Sequence, residues 1–192
     1  MSLRKEEFPR LRTEPGKVEW VTGVFFLLFL GILLCAFLQL EMFRNSARYL
    51  EDALAASNLA SAVIDVEEYG ISHRVWIEDV QASFERYKAA LKGNLNLNDA
   101  WECENRNIIS GPVRAVDYTV YNVSGNDVIV SRFDESGGLT VWQEQLGSAR
   151  TPGGKVIENT GVYSEIQYWV EGMLGVNAEA HKGKLVDIAA GE

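Results

Sequence analysis

Positions 20–40 carry no charged side chain, twenty-one in succession, and no proline or glycine then interrupts the chain from 41 to 65. At a rise of ~1.5 Å per helical residue the first run covers roughly 30 Å, the thickness of a bilayer's hydrocarbon core. Val24, Phe25, Phe26, Leu27, Leu28, Phe29 and Leu30 leave no polar stripe for water, and Trp20 stands where an interfacial aromatic anchor belongs. The pattern predicts a membrane-spanning helix that emerges unbroken into water and reaches about Asp65.

Beyond Leu40 the periodicity is that of one helix face: Phe43, Ala47, Leu50, Leu54, Ser57, Ser61 and Ile64 recur at three and four residues. A second stripe of small residues, Ala53, Ala56, Ala60 and Val63, runs beside it, at a spacing that lets another backbone approach closely. Two uses for these faces stay open, packing on the chain's own sheet and packing against the same helix of a neighbouring subunit. Glu67, Glu68, Tyr69 and Gly70 are expected to end the helix, with Gly70 as a left-handed cap. A shorter helix is predicted over 74–91 from the stripe Ile77, Val80, Phe84, Tyr87 and Leu91, with Gly93 stopping it and Asn94, Asn96, Asn98 and Asp99 forming a loop.

From Val113 the period becomes two, which predicts strands over 113–123, 128–133, 139–143, 156–158, 163–170 and 184–189. Turns are expected at Ser124-Gly125-Asn126-Asp127 and Glu135-Ser136-Gly137-Gly138, and a longer loop at Thr151-Pro152-Gly153-Gly154. The fold class expected is α+β: a long N-terminal transmembrane helix continuing into an outer domain with a second short helix and an antiparallel sheet. The organisation follows as a charged tail over 1–19, the span over 20–40, the helix continuation over 41–69 and an α+β head over 70–192.

Charge sets orientation and narrows the partners. Arg4, Lys5, Arg10, Arg12 and Lys17 precede the span while only Arg44 and Arg48 follow it closely, so the tail is expected in the cytoplasm and the remainder outside the cell. A cleaved secretory signal is disfavoured, because Gln39, Leu40 and Glu41 supply no small-residue site. The net charge is −9; the first twenty residues hold five basic and four acidic side chains, leaving thirteen basic and twenty-three acidic beyond. Nucleic acid is an unsuitable partner for so acidic a domain, since phosphate binding needs clustered Lys and Arg.

Candidate chemistry is sparse. Cys35 lies in the span and Cys103 in the head, so no disulfide between them is expected, and Ile32-Leu33-Leu34 before Cys35 lacks the small residue of a lipidation box. His73 and His181 have no neighbouring ligand at a metal spacing, and the carboxylates of Asp65, Glu67 and Glu68 point in different directions from a helix end. No phosphate-binding glycine loop and no Gly-x-Ser-x-Gly elbow occurs, and Asn122-Val123-Ser124 matches a glycosylation sequon only formally. Neither a catalytic constellation, a cofactor nor a metal is expected.

An N-terminal helix that starts in a membrane and carries a small β-rich head is a pilin's architecture. The chain resembles the TadE-like pseudopilins and minor pilins of tight-adherence (Tad) pili, which are type IV-like, in the form found in Gram-positive Clostridia. The likeness rests on the span, on Tyr49-Leu50-Glu51-Asp52-Ala53-Leu54-Ala55-Ala56-Ser57-Asn58-Leu59-Ala60 with Val63-Ile64-Asp65, and on the hairpin Tyr118-Thr119-Val120-Tyr121-Asn122-Val123. It extends through Glu158-Asn159-Thr160 to Val186-Asp187-Ile188. The resemblance implies a structural subunit without enzymatic activity, whose partners are the lipid bilayer, other pilin subunits, the assembly platform and a prepilin peptidase. It also implies cleavage before the span, where Gly16 followed by Lys17 is the candidate site, and an acidic residue for subunit registration, here Glu19. That glutamate would be third in the mature chain, where the family pattern has its glutamate fifth. A different class stays open beside it: a single-pass sensor or binding protein whose outer domain recognises a ligand.

Overall fold

In the computed structural model, residues 15–104, 109–172 and 177–188 are described, with the side chains of 15–18 left aside. Three helices precede five strands: α1 (Pro15–Ser61), α2 (Val66–Ser72), α3 (Val80–Asn94), β1 (Arg114–Ser124), β2 (Asp127–Asp134), β3 (Leu139–Gln145), β4 (Gly161–Glu171) and β5 (Asn177–Asp187). The chain divides into two compact units, one ending at Leu40 and one beginning at Glu41. In the first, α1 stands with its apolar side chains exposed.

The second unit is α+β, with one antiparallel sheet in the order β3-β2-β1-β4-β5. Side chains alternate across each strand. Tyr118, Val120, Phe133, Val162 and Ile166 point to one face and pack with Leu50 and Leu54 of α1 and with Phe84, Tyr87 and Leu91 of α3. Burying Leu50 and Leu54 alone contributes about 2 to 3 kcal/mol each. Tyr121, Val128, Val130 and Tyr163 point the other way and are covered by Ala149 and Ile157.

Buried polar groups tie the helices to that first face. Asn58, fully buried, donates through Nδ2 to the Lys184 carbonyl at 2.8 Å and accepts through Oδ1 from Ser164 Oγ at 2.7 Å. The Tyr118 hydroxyl donates to Ser61 Oγ at 2.8 Å and lies 2.6 Å from Ser83 Oγ, while Ser83 Oγ donates to the Ser61 carbonyl, so one cluster joins α1, α3 and β1. Left without partners, such groups would each cost on the order of 1 to 3 kcal/mol.

Several boundaries differ from the sequence expectation for local reasons. α1 ends at Ser61, short of Asp65, because Asp65 caps a separate helix: its carboxylate accepts from the Glu67 and Glu68 amides at 2.9 and 3.0 Å. Gly70 is not a cap; it lies inside α2, and His73 takes the left-handed conformation at φ 54°. The second predicted helix begins at Val80, not at 74, since Asp79 caps it and Ile77 is held outside it, its amide and carbonyl both bonded to the Asn122 side chain at 2.9 and 2.8 Å. Gly93 sits within the last turn of α3, which Leu95 closes.

The 156–158 segment makes only an isolated bridge between Val156 and Arg150, and the last strand starts at Asn177 instead of 184. Alternation of Ala, Glu, His, Lys and Gly along β5 hides its pairing with β4, yet the fit is close: a Cβ at Gly183 would stand 2.3 Å from the Tyr163 hydroxyl. The hairpin turns and the 151–154 loop form where expected, with Gly125, Gly137 and Gly154 at positive φ.

Candidate functional site

The most exposed apolar surface belongs to the N-terminal part of α1. Phe25, Phe26, Leu27, Leu28 and Phe29 are each about 60 to 70 % exposed, and together with Trp20, Ile32, Leu34 and Phe37 they surround the helix on every side. Water penalises such a surface at about 25 cal/mol per Å². This helix is long and apolar enough to cross a membrane. Glu19 is exposed at its start, Gly16 and Lys17 fall in its first turn, and the charged residues before Pro15 lie outside the described residues.

In the second unit α1 has two contrasting faces. Leu50, Ala53, Leu54, Ser57, Asn58 and Ser61 are buried against the unit's own core. Ala56 and Ala60 are exposed, beside Leu59 at 64 % and Val63 at 52 %. Of the small stripe Ala53, Ala56, Ala60 and Val63, the first thus faces inward and the other three outward, with Val63 just past the helix end. An open face of two alanines flanked by leucine and valine permits close approach of another helix.

Glu51 orients α1 on the sheet edge. Its two carboxylate oxygens meet Lys182 Nζ at 2.8 Å and Lys184 Nζ at 2.7 Å. These hydrogen bonds, Lys182 first, and the two ammonium charges hold its carboxyl down to about 2. A carboxyl depressed on folding contributes stability above its ordinary value and loses it as pH falls through the folded value. The second unit is therefore expected to lose this contribution between pH 4.5 and about 2. Glu51→Gln should flatten the urea-midpoint profile across that window and lower stability at neutral pH by no more than ~1 kcal/mol, because the pair is about a third exposed.

The titratable residues singled out from sequence do not converge. His73 caps α2, whereas His181 lies on β5 with Nδ1 3.2 Å from Glu165 and Nε2 3.6 Å from Glu179. Asp65 is occupied by its cap, and Glu68 pairs with Arg74 at 2.9 Å. Asn122 of the sequon is buried and doubly bonded to Ile77, so its amide is spoken for. Cys35 is exposed; Cys103 is buried, its Sγ donating to the Leu95 carbonyl at 3.3 Å. Among the described residues no group of three His, Cys, Asp or Glu side chains is placed to hold a metal ion.

Two features escaped the sequence reading. Asp117 is buried on the outer sheet face, directly between Asp134 on β2 and Glu165 on β4. Burial pushes its carboxyl above the usual range, against the Thr119 hydroxyl at 2.7 Å and the Arg132 guanidinium at 2.7 Å. Only strand register reveals that row of like charges, which is unfavourable across a sheet.

The second is a groove of about 430 Å³ lined by Phe84, Lys88, Trp101, Val113, Arg114 and Ser136. Trp101 next to the asparagine-rich loop was its only trace in sequence. Compared with known proteins, the chain matches no family profile, no curated protein and no solved structure.

Proposed function

We propose that this protein is a structural subunit, a minor pilin or pseudopilin of a Tad-type pilus, held in the membrane by residues 20–40 with its N-terminus in the cytoplasm and its α+β unit outside. The observation that carries this reading is the apolar helix exposed on all sides, which needs lipid before assembly and other helices afterwards. The open face of Ala56, Ala60 and Val63 serves as a further packing surface for neighbouring subunits. No reaction is assigned to the protein; it acts by anchoring and by contact. Glu19 is assigned to registration, its carboxylate neutralised at the lipid edge by a neighbour's new N-terminal ammonium.

A second reading, a single-pass membrane sensor or binding protein, has the groove at Trp101 in its favour. Location separates the two. In cells carrying the cognate secretion machinery, the subunit is expected in sheared extracellular material, with an intact mass lower by the sixteen-residue leader ending at Gly16. Replacing Gly16 with Phe should abolish that mass loss, because the peptidase must accommodate the backbone closely there. Retention of all the protein in the cell membrane, at full mass, would overturn the filament reading in favour of the sensor.

A further inference from the structure

The loop after α3 holds an aromatic residue in a conformation that side chains seldom adopt. Trp101 has φ 60°, in the left-handed region, where a bulky residue bears a strain of roughly 1 to 3 kcal/mol. The surroundings impose it: the Trp101 amide donates to the Asn98 carbonyl at 3.0 Å, its carbonyl accepts from the Val113 amide at 2.8 Å, and Asn98 Oδ1 accepts from the Ala100 and Glu102 amides. Glycine or asparagine would make this turn with less strain. What tryptophan adds is its ring, half-buried, as a wall shared by two adjoining hollows of about 430 and 310 Å³.

Cations gather around that ring although the chain as a whole is strongly acidic. Lys88 lines both hollows, Lys92 Nζ lies 5.3 Å from the Trp101 ring centre, and Arg114 stands on the wall of the larger hollow. Lys92 pairs with Asp99 only at 3.6 Å and Arg114 with Glu135 only at 3.9 Å, whereas Lys88 meets Glu85 closely at 2.7 Å and lies 4.6 Å from the Phe84 ring centre. The carboxylate partners are exposed, and pairs of this kind are worth ~0 to 1 kcal/mol, so an incoming carboxylate can replace the two long ones and share Lys88. Ser136 and Glu135 line the larger hollow and supply hydroxyl-bonding groups.

From this geometry we infer that the groove binds an acidic saccharide of the hexuronate class. The apolar face of a sugar ring lies on Trp101, its carboxylate meets Lys88 and Arg114, and its hydroxyls bond Ser136 and Glu135. The two hollows, divided by one ring, fit consecutive units of a chain. This assignment stands on the groove alone, so its failure leaves the filament reading untouched, and retention in the membrane leaves the groove untouched.

The test uses the full chain in nanodiscs of zwitterionic lipid, titrated with trigalacturonate and, separately, with neutral maltotriose, by calorimetry. Saturable binding of trigalacturonate, weakened by salt, and none of maltotriose is the expected result. Trp101→Asn should reduce affinity by about tenfold or more while keeping a cooperative unfolding transition, its midpoint lowered by the lost packing of the ring on the core and partly restored because asparagine accepts the left-handed backbone. Lys88→Gln combined with Arg114→Gln should remove the salt dependence along with most of the affinity. Absence of saturable trigalacturonate binding, equal binding of maltotriose, or parental affinity in both variants would each overturn the assignment.

Discussion

Leu28→Arg is expected to cost ~2.5 to 3.5 kcal/mol of insertion free energy and to reduce the membrane-associated fraction sharply, because a guanidinium at the middle of the span has neither water nor a partner. Leu28 is 60 % exposed and its neighbours on the helix are all apolar, so no side chain nearby offsets the charge. A conservative control, Leu28→Ala, keeps the segment uncharged and should remain in the membrane. Carbonate extraction followed by immunodetection measures the fraction. Equal retention of the parent and the arginine variant would remove the basis for a membrane role of residues 20–40.

The second large effect concerns the helix continuation. A chain beginning at Glu41 is expected to fold as a soluble monomer with a cooperative urea transition, and one beginning at Ile71 to aggregate. The shorter chain lacks Leu50 and Leu54 from the core and leaves the Tyr118 hydroxyl, Ser164 Oγ and the Lys184 carbonyl without Ser61 and Asn58. Two leucines at about 2 to 3 kcal/mol each, with the stranded polar groups, approach the whole stability of an ordinary domain. The sheet face laid bare is a contiguous apolar patch, the usual cause of association. Size-exclusion chromatography and urea unfolding of the two chains decide the matter; equal solubility and cooperativity would mean that residues 41–70 are no part of the core.

The elements that were legible before the structure share one property: their signal lies in a single repeated period. The uncharged run at 20–40, the stripe Leu50, Leu54, Ser57 and Ser61, the hairpin turns with Gly125 and Gly137, and the alternation of β1, β2 and β4 each report a local preference that the fold then satisfies. Where local signals competed, the expectation failed. Asp65 reads as the end of the long helix and Asp79 as a polar position within the next, yet each captures amides as a cap and starts a new one. Ile77 fits a helical stripe by spacing, but the Asn122 side chain claims its backbone from β1. β5 carries lysine, histidine and glycine where a strand normally shows apolar residues, because it is held by pairing with β4 along its whole length and by Glu51, which meets Lys182 and Lys184.

The candidate site divides along the same line. Its apolar helix is determined by sequence alone, since transfer of a side chain between water and lipid is a property of the side chain and needs no neighbour. The α+β class of the second unit follows in the same way from period and turn chemistry. Which of the small residues on α1 face inward, Ala53, and which outward, Ala56 and Ala60, was decided only when the sheet came to lie against the helix. The buried Asp117 between two further carboxylates, the lysines that hold Glu51 and the strained Trp101 between two hollows likewise exist only in three dimensions. Each joins residues distant in the chain, and a single sequence records no distances between them.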